Sequence, residues 1–156
     1  MAELKARIKT DLTAAMRAKD VLVVSTLRLA LSAVQTEEVA GTTARELSDD
    51  EVLKVLAKEA KKRAEAAEAF AGAGREELAA KERAEGEVLD AYLPAQLSDD
   101  EVTALAAAAL AQVTAETGQT PGMRQMGQVM KLAAAAAAGR ADGSRVSAAV
   151  KAQLQG

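Results

Sequence analysis

The sequence predicts an all-α protein, built as a four-helix N-terminal bundle followed by a smaller three-helix C-terminal bundle. Three observations carry this. Aromatic residues are 1% of the 156, one Tyr and one Phe, so Ala, Leu, Val and Met must fill the core. Alanine packs closely and favours helix, whereas strands lean on β-branched and aromatic residues. The chain has only two prolines, which permits long helices. Its apolar residues recur at the helical spacing, and no stretch alternates with the strand period. The length suits one ordinary domain or two small helical ones.

Taken in order, residues 2–19 form an amphipathic helix with Leu4, Ile8, Leu12, Ala15 and Met16 on one stripe. Asp20 caps a second helix over 21–39. Its Leu22, Val23, Leu27, Ala30, Leu31 and Val34 cover more than half the circumference, which places it near the centre of a bundle. After the loop Gly41-Thr42-Thr43, a third helix runs over 49–71 and ends at Gly72-Ala73-Gly74. A fourth covers 76–92, and Pro94 prevents its continuation. A fifth starts after Ser98 and ends near Gly118. Thr120-Pro121 predicts a cap and a first helical position for a sixth, which carries Met123, Met126, Val129, Met130 and Leu132 and ends at Gly139. Asp142-Gly143-Ser144 is a turn, and 145–154 is a last short helix.

The third and fifth helices begin with the same six residues, Leu-Ser-Asp-Asp-Glu-Val, at 47–52 and 97–102. Ser48 and Ser98 are placed to accept backbone N–H bonds, and Glu51 and Glu101 to bond back to the caps. Leu47 with Val52, and Leu97 with Val102, sit where a hydrophobic staple requires them. The acidic first turns suit the positive ends of the helix dipoles. The sequences diverge directly after Val52 and Val102, which favours two helices starting alike over a duplication. With Pro94, the second of these starts sets the expected boundary: residues 1–93 and 94–156.

There is no Cys and no His. That removes thiol nucleophiles, disulfides, zinc-finger ligands and histidine-based acid–base catalysis. No catalytic residue, metal or cofactor is expected. The start Met1-Ala2-Glu3-Leu4-Lys5 has no apolar signal core, and the run Ala133 to Ala138 is far too short to span a bilayer. The expectation is a cytoplasmic protein without membrane contact.

The formal charge is −3, so the chain as a whole does not attract nucleic acid. The charge is uneven, however. From Pro121 onward five basic residues face one acid, an excess of +4 that leaves −7 on the first 120 residues. Arg124, Lys131, Arg140 and Arg145 in this tail are candidates for contacting a polyanion, against the plainer reading of a solvated surface. The turn 139–144 leads into a helix start whose exposed amides suit a phosphate, though it lacks the Gly-Lys-Ser/Thr ending of a nucleotide loop. In the third helix Lys54, Lys58, Lys61 and Lys62 share one face with Glu65, which is placed to pair with Lys61, and form a second phosphate-contacting candidate against the plainer reading of a solvated face. Met123, Met126 and Met130 form a stripe read as core filling.

Arg63 falls on the apolar side of its helix, and Glu82 and Glu85 fall on an apolar stripe of the next one. Buried charges require partners. The expected network pairs Arg63 with Glu82 or Glu85, with Arg28 as a second cation; two carboxylates alone make a poor metal site.

The segments 74–82 (Gly-Arg-Glu-Glu-Leu-Ala-Ala-Lys-Glu) and 87–98 (Glu-Val-Leu-Asp-Ala-Tyr-Leu-Pro-Ala-Gln-Leu-Ser) strongly resemble the GatB/YqeY family. So do Ser25-Thr26-Leu27-Arg28, Lys61-Lys62-Arg63, Met126-Gly127-Gln128-Val129-Met130 and Gly139-Arg140-Ala141-Asp142-Gly143. They follow the family's order and cover nearly the whole chain, and the likeness is greatest to free-standing YqeY-like proteins. The alanine runs after Val102 and Leu132 depart from the pattern. The resemblance implies a four-helix bundle joined to a three-helix bundle. It implies kinship with the tail of the B subunit of glutamyl/aspartyl-tRNA amidotransferase, a tail that helps recognise the tRNA body. The chemistry of that enzyme lies in its A subunit and in the cradle of its B subunit. A carbon–nitrogen ligase label with glutamine as amide donor is therefore inherited from the larger enzyme. The resemblance points to a non-catalytic, tRNA-binding accessory module. The alternatives are an adaptor docking on an amidotransferase or synthetase, or amidotransferase-linked activity within a larger complex.

Overall fold

A computed structural model describes residues 2–155, and among them there are seven α-helices, one short 3₁₀ turn and no strand. The helices are α1 (Glu3–Ala18), α2 (Val21–Glu38), α3 (Asp49–Gly72), α4 (Glu76–Asp90), α5 (Asp99–Thr117), α6 (Met126–Ala137) and α7 (Gly143–Gln155), with the 3₁₀ turn η1 (Met123–Gln125) ahead of α6. The chain divides into two compact units, Met1–Leu93 and Pro94–Gly156.

In the first unit α2 packs on α1, α3 and α4, and α3 lies along α4. Ile8, Leu27, Ala30, Val34, Val52, Leu56 and Leu89 are almost fully buried and form its core. The apolar girdle of α2 explains why it packs on all three partners. Its outer side nevertheless exposes Val21 and Leu29, 79% and 51% accessible. Asp20 caps α2 by accepting from the Val23 N–H. Helix α3 closes over Gly74, whose φ of 75° is one that a side chain would strain, and the Arg75 N–H turns back to the Phe70 carbonyl at 2.8 Å.

In the second unit α5, α6 and α7 pack pairwise around Val102, Ala106, Val113, Val129, Ala133, Ala137, Val146 and Val150. Four of its ten buried core residues are alanine, so the helices approach closely and small volume changes will be felt. Both repeated helix starts form complete capping boxes. The Glu51 N–H reaches the Ser48 hydroxyl at 3.3 Å while Glu51 accepts from the Ser48 N–H at 2.8 Å. The matching distances at Ser98 and Glu101 are 3.1 and 3.3 Å. Leu47, Val52, Leu97 and Val102 are all buried, completing the staples.

The sixth helix departs from expectation. Pro121 lies outside it, and η1 intervenes, with the Gln125 side chain accepting from the Gly122 N–H at 2.8 Å. The cap is thus supplied from downstream, at Gln125, and not by Thr120. Met123 then falls in η1 and is 45% exposed, so only Met126 and Met130 serve the core. Helix α7 begins two residues early, at Gly143, because the Asp142 carbonyl receives the Val146 N–H at 3.1 Å.

Candidate nucleic-acid interface

The α3 lysines are the largest cluster of exposed cations on one helix. A rise of 1.5 Å per residue spreads Lys54, Lys58, Lys61 and Lys62 over roughly 12 Å, and their angular positions fall within roughly a quarter of the helix circumference. All four are exposed. They stay outside because Val52, Leu56, Arg63 and Ala67 take the buried side of the same helix. Lys62, itself exposed, pairs at 3.1 Å with Glu59, a largely covered carboxylate that also holds Arg63.

Lys54 and Lys58 also line a shallow cavity of about 300 Å³ with Glu37, Arg45, Leu47, Glu51 and Val55. Arg45 holds Glu51 at 2.8 Å. That guanidinium, with the backbone and hydroxyl of Ser48, draws the Glu51 carboxyl down to about 2. Glu51 therefore stays ionised at any ordinary pH, and it consumes the positive charge of Arg45.

The C-terminal candidates divide into two kinds. Arg124 in η1 and Lys131 in α6 are exposed. Arg140 and Arg145 instead hold the chain's own backbone. Arg140 donates from Nε to the Ala95 carbonyl at 3.0 Å, and its own carbonyl accepts the Leu97 N–H at 2.8 Å. Arg145 donates to the Leu97 carbonyl and to Asp99, both at 2.8 Å. These two arginines fasten residues 95–99 to the α6–α7 turn. The amides of that turn are engaged as well. The Ser144 N–H and hydroxyl both donate to the Asp142 carboxylate, at 3.3 and 2.9 Å. The position an external phosphate would take is filled by a carboxylate of the chain itself.

The expected Arg63–Glu85 ion pair forms, at 3.7 Å, but the rest of the inward network requires correction. Arg63 is 9% and Glu85 8% accessible, so both are buried as their stripes imply. The nearest partner of Arg63, however, is Glu59 on its own helix, at 2.8 Å, and the same guanidinium nitrogen reaches the Glu59 carbonyl at 3.2 Å. Glu85 stands across at 3.7 Å from Nε, too far for a hydrogen bond, and that Nε has no other acceptor. No ion pair joins Arg63 to Glu82 among the described residues. Arg28 is not in the network either: it is exposed and, among the described residues, its hydrogen bond goes to the Met16 sulfur, at 3.5 Å. A wheel drawn for one helix identifies an inward residue but not the i, i+4 partner that swings in beside it, and so it does not reveal Glu59.

Two further polar clusters escape sequence reasoning. Lys5 donates to both oxygens of Glu38 at 2.8 Å, joining α1 to the end of α2. The Tyr92 hydroxyl donates to Asp11 at 2.5 Å, under an Arg7 guanidinium 4.9 Å from the ring centre. Burial, and then the Asp11 bond, push the Tyr92 phenol above its usual range. Both clusters join residues far apart in sequence, and local pattern carries no signal for them.

Among the described residues no group of carboxylates is arranged to hold a metal, and no helix is long and apolar enough to cross a membrane. A sequence model of the family described as Yqey-like protein matches residues 5–154. No curated protein matches the chain.

Proposed function

We infer function from the premise that the chain belongs to the YqeY-like family, and we propose a non-catalytic accessory module that binds tRNA by shape and phosphate contacts. One observation carries the reading: four lysines stand exposed along one face of α3 on a chain whose net charge is negative. A concentrated basic strip on an acidic protein binds a polyanion locally while the remaining surface discourages unselective adhesion. The sequence likeness to the tRNA-recognising tail of the amidotransferase B subunit supports the same partner. The single tyrosine is half-buried against Asp11, so no aromatic platform exists for stacking unpaired bases. Folded RNA, read through its backbone, fits better than a single strand.

In this reading the α3 face is the principal RNA surface, with Arg124 and Lys131 as a secondary one. Arg140 and Arg145 act mainly by holding residues 95–99. The two units fold as separate bundles, residues 1–93 with four helices and 94–156 with three.

The test is tRNA binding across a salt series. Binding should weaken steeply with salt and exceed that of an unstructured strand of equal length. Charge reversal at Lys54, Lys58 and Lys61 should flatten the log–log salt slope by roughly 0.7–0.9 for each phosphate no longer neutralised. Wild-type protein that fails to bind tRNA at low salt would sink the proposal and leave the adaptor reading in its place.

A further inference from the structure

A second, larger cavity of about 370 Å³ lies in the first unit, between the antiparallel helices α1 and α2. Lys5, Lys9 and Leu12 line one wall; Arg28, Leu31, Ser32, Gln35 and Glu38 line the other. The span from Arg28 to Glu38 is ten residues, a trough roughly 15 Å long. The Lys5–Glu38 pair closes one end, with both side chains largely covered, 15% and 13% accessible. Those two charges neutralise each other. Lys9 and Arg28 remain, both exposed, and neither forms an ion pair among the described residues. Between them lie Leu12 and Leu31, half-buried, and at the Arg28 end Met16 is 45% exposed.

We propose that this α1/α2 trough is the docking site for an amphipathic helix of a partner protein, one that carries an apolar ridge flanked by acidic side chains. The trough's length takes about three helical turns. Its floor offers Leu12 and Leu31 to the ridge, with Met16 exposed beside Arg28, and its rims offer Lys9 and Arg28 to carboxylates. An RNA backbone fits worse. Phosphates would leave the apolar floor uncovered. The trough belongs to a different pair of helices from the lysine face of α3, so the two surfaces can be broken independently.

The test uses the full chain and a labelled synthetic peptide of about fifteen residues, with leucines at i, i+3, i+4 and i+7 spacing and glutamates beside them. Two controls accompany it: the same peptide with lysine for glutamate, and a scramble of equal charge without the apolar ridge. Fluorescence anisotropy should show saturable binding of the acidic peptide only. The K9E/R28E variant should bind it at least roughly tenfold more weakly and gain affinity for the lysine peptide, with unchanged helical circular dichroism. Charge reversal at the α3 lysines should leave peptide binding within about twofold, since distant rim charges act mainly on association rate. Three results would each overturn the proposal. One is a dissociation constant above about 1 mM for the acidic peptide. Another is equal binding of the scramble, and the third is a K9E/R28E variant that loses tRNA binding while its peptide binding is unchanged.

Discussion

Arg63 illustrates how a buried charge is held by an imperfect set of partners. Glu59 gives it one good bond at 2.8 Å, the Glu59 carbonyl a second at 3.2 Å, and Glu85 only proximity at 3.7 Å. All three side chains are at least 86% covered, so removing the cation strands two carboxylates away from water. Arg63→Ala should lower unfolding free energy by roughly 3–5 kcal/mol in urea titrations. Adding Glu85→Gln to that variant should recover part of the loss, because it removes one stranded charge. A loss below about 0.5 kcal/mol would mean that solvent reaches the site. The sequence marks Arg63 and Glu85 correctly as inward, since each sits on an otherwise apolar stripe. It cannot rank Glu59 above Glu82. That choice depends on which rotamer fits between α3 and α4, where the Gly86 backbone passes close enough that an added Cβ would lie 3.9 Å from the Arg63 Cβ.

Elements are far more legible than side-chain partners. Helix starts with a Ser and a Glu three residues later carry their hydrogen-bond pattern in the sequence itself, and both boxes at Ser48 and Ser98 form as the spacing requires. The start of α6 is harder to read because Gln125 bonds backward to Gly122, a cap that Thr120-Pro121 mimics in composition only. The α3 start adds something its twin lacks: Arg45 binds Glu51, and no equivalent cation binds Glu101 among the described residues. This makes the α3 start acid-sensitive. The Glu51 carboxyl, lowered to about 2 in the folded chain, has an ordinary value near 4.5 when unfolded. A depressed folded value means that the stabilisation is complete above about pH 4.5 and is lost as pH falls toward 2. Arg45→Ala should therefore lower the urea midpoint at pH 6 by more than it does at pH 2.5, and the gap between variant and wild type should narrow on acidification. A gap of constant size across that range would show that the pair does not couple to Glu51 ionisation. Ser98→Ala, acting on the twin cap, should cost about 1 kcal/mol.

At the scale of the whole molecule, charge and packing divide the labour differently. Residues 1–93 carry fifteen basic and eighteen acidic side chains, whereas 94–156 carry five of each. The +4 excess after Pro121, conspicuous in the sequence, is thus offset within its own unit by Asp99, Asp100, Glu101 and Glu116. Part of it is consumed directly, since Arg145 pairs with Asp99. A charge tally along the chain cannot anticipate this, because the acids lie on α5 and the cations on α6, α7 and the turns beside them. The lysines of α3 also share their helix with acids, and Lys62 pairs with Glu59, but all four stay exposed because Val52, Leu56 and Ala67 take the inward side. Each unit has its own buried core, Ile8 to Leu89 in the first and Leu97 to Val150 in the second. From these two facts follows a single dissection experiment. A fragment of residues 1–93 should unfold cooperatively on its own, and so should 94–156, although the smaller, alanine-rich unit should be the weaker one, as chains of this size bury little surface. If the α3 face is the main RNA surface, the 1–93 fragment should retain most of the tRNA affinity and nearly the full salt slope of the intact chain, while 94–156 retains a shallow slope of roughly two units or less from Arg124 and Lys131. Binding that followed residues 94–156 would move the interface to the C-terminal unit, and a 1–93 fragment without cooperative unfolding would refute the separate folding of the two bundles.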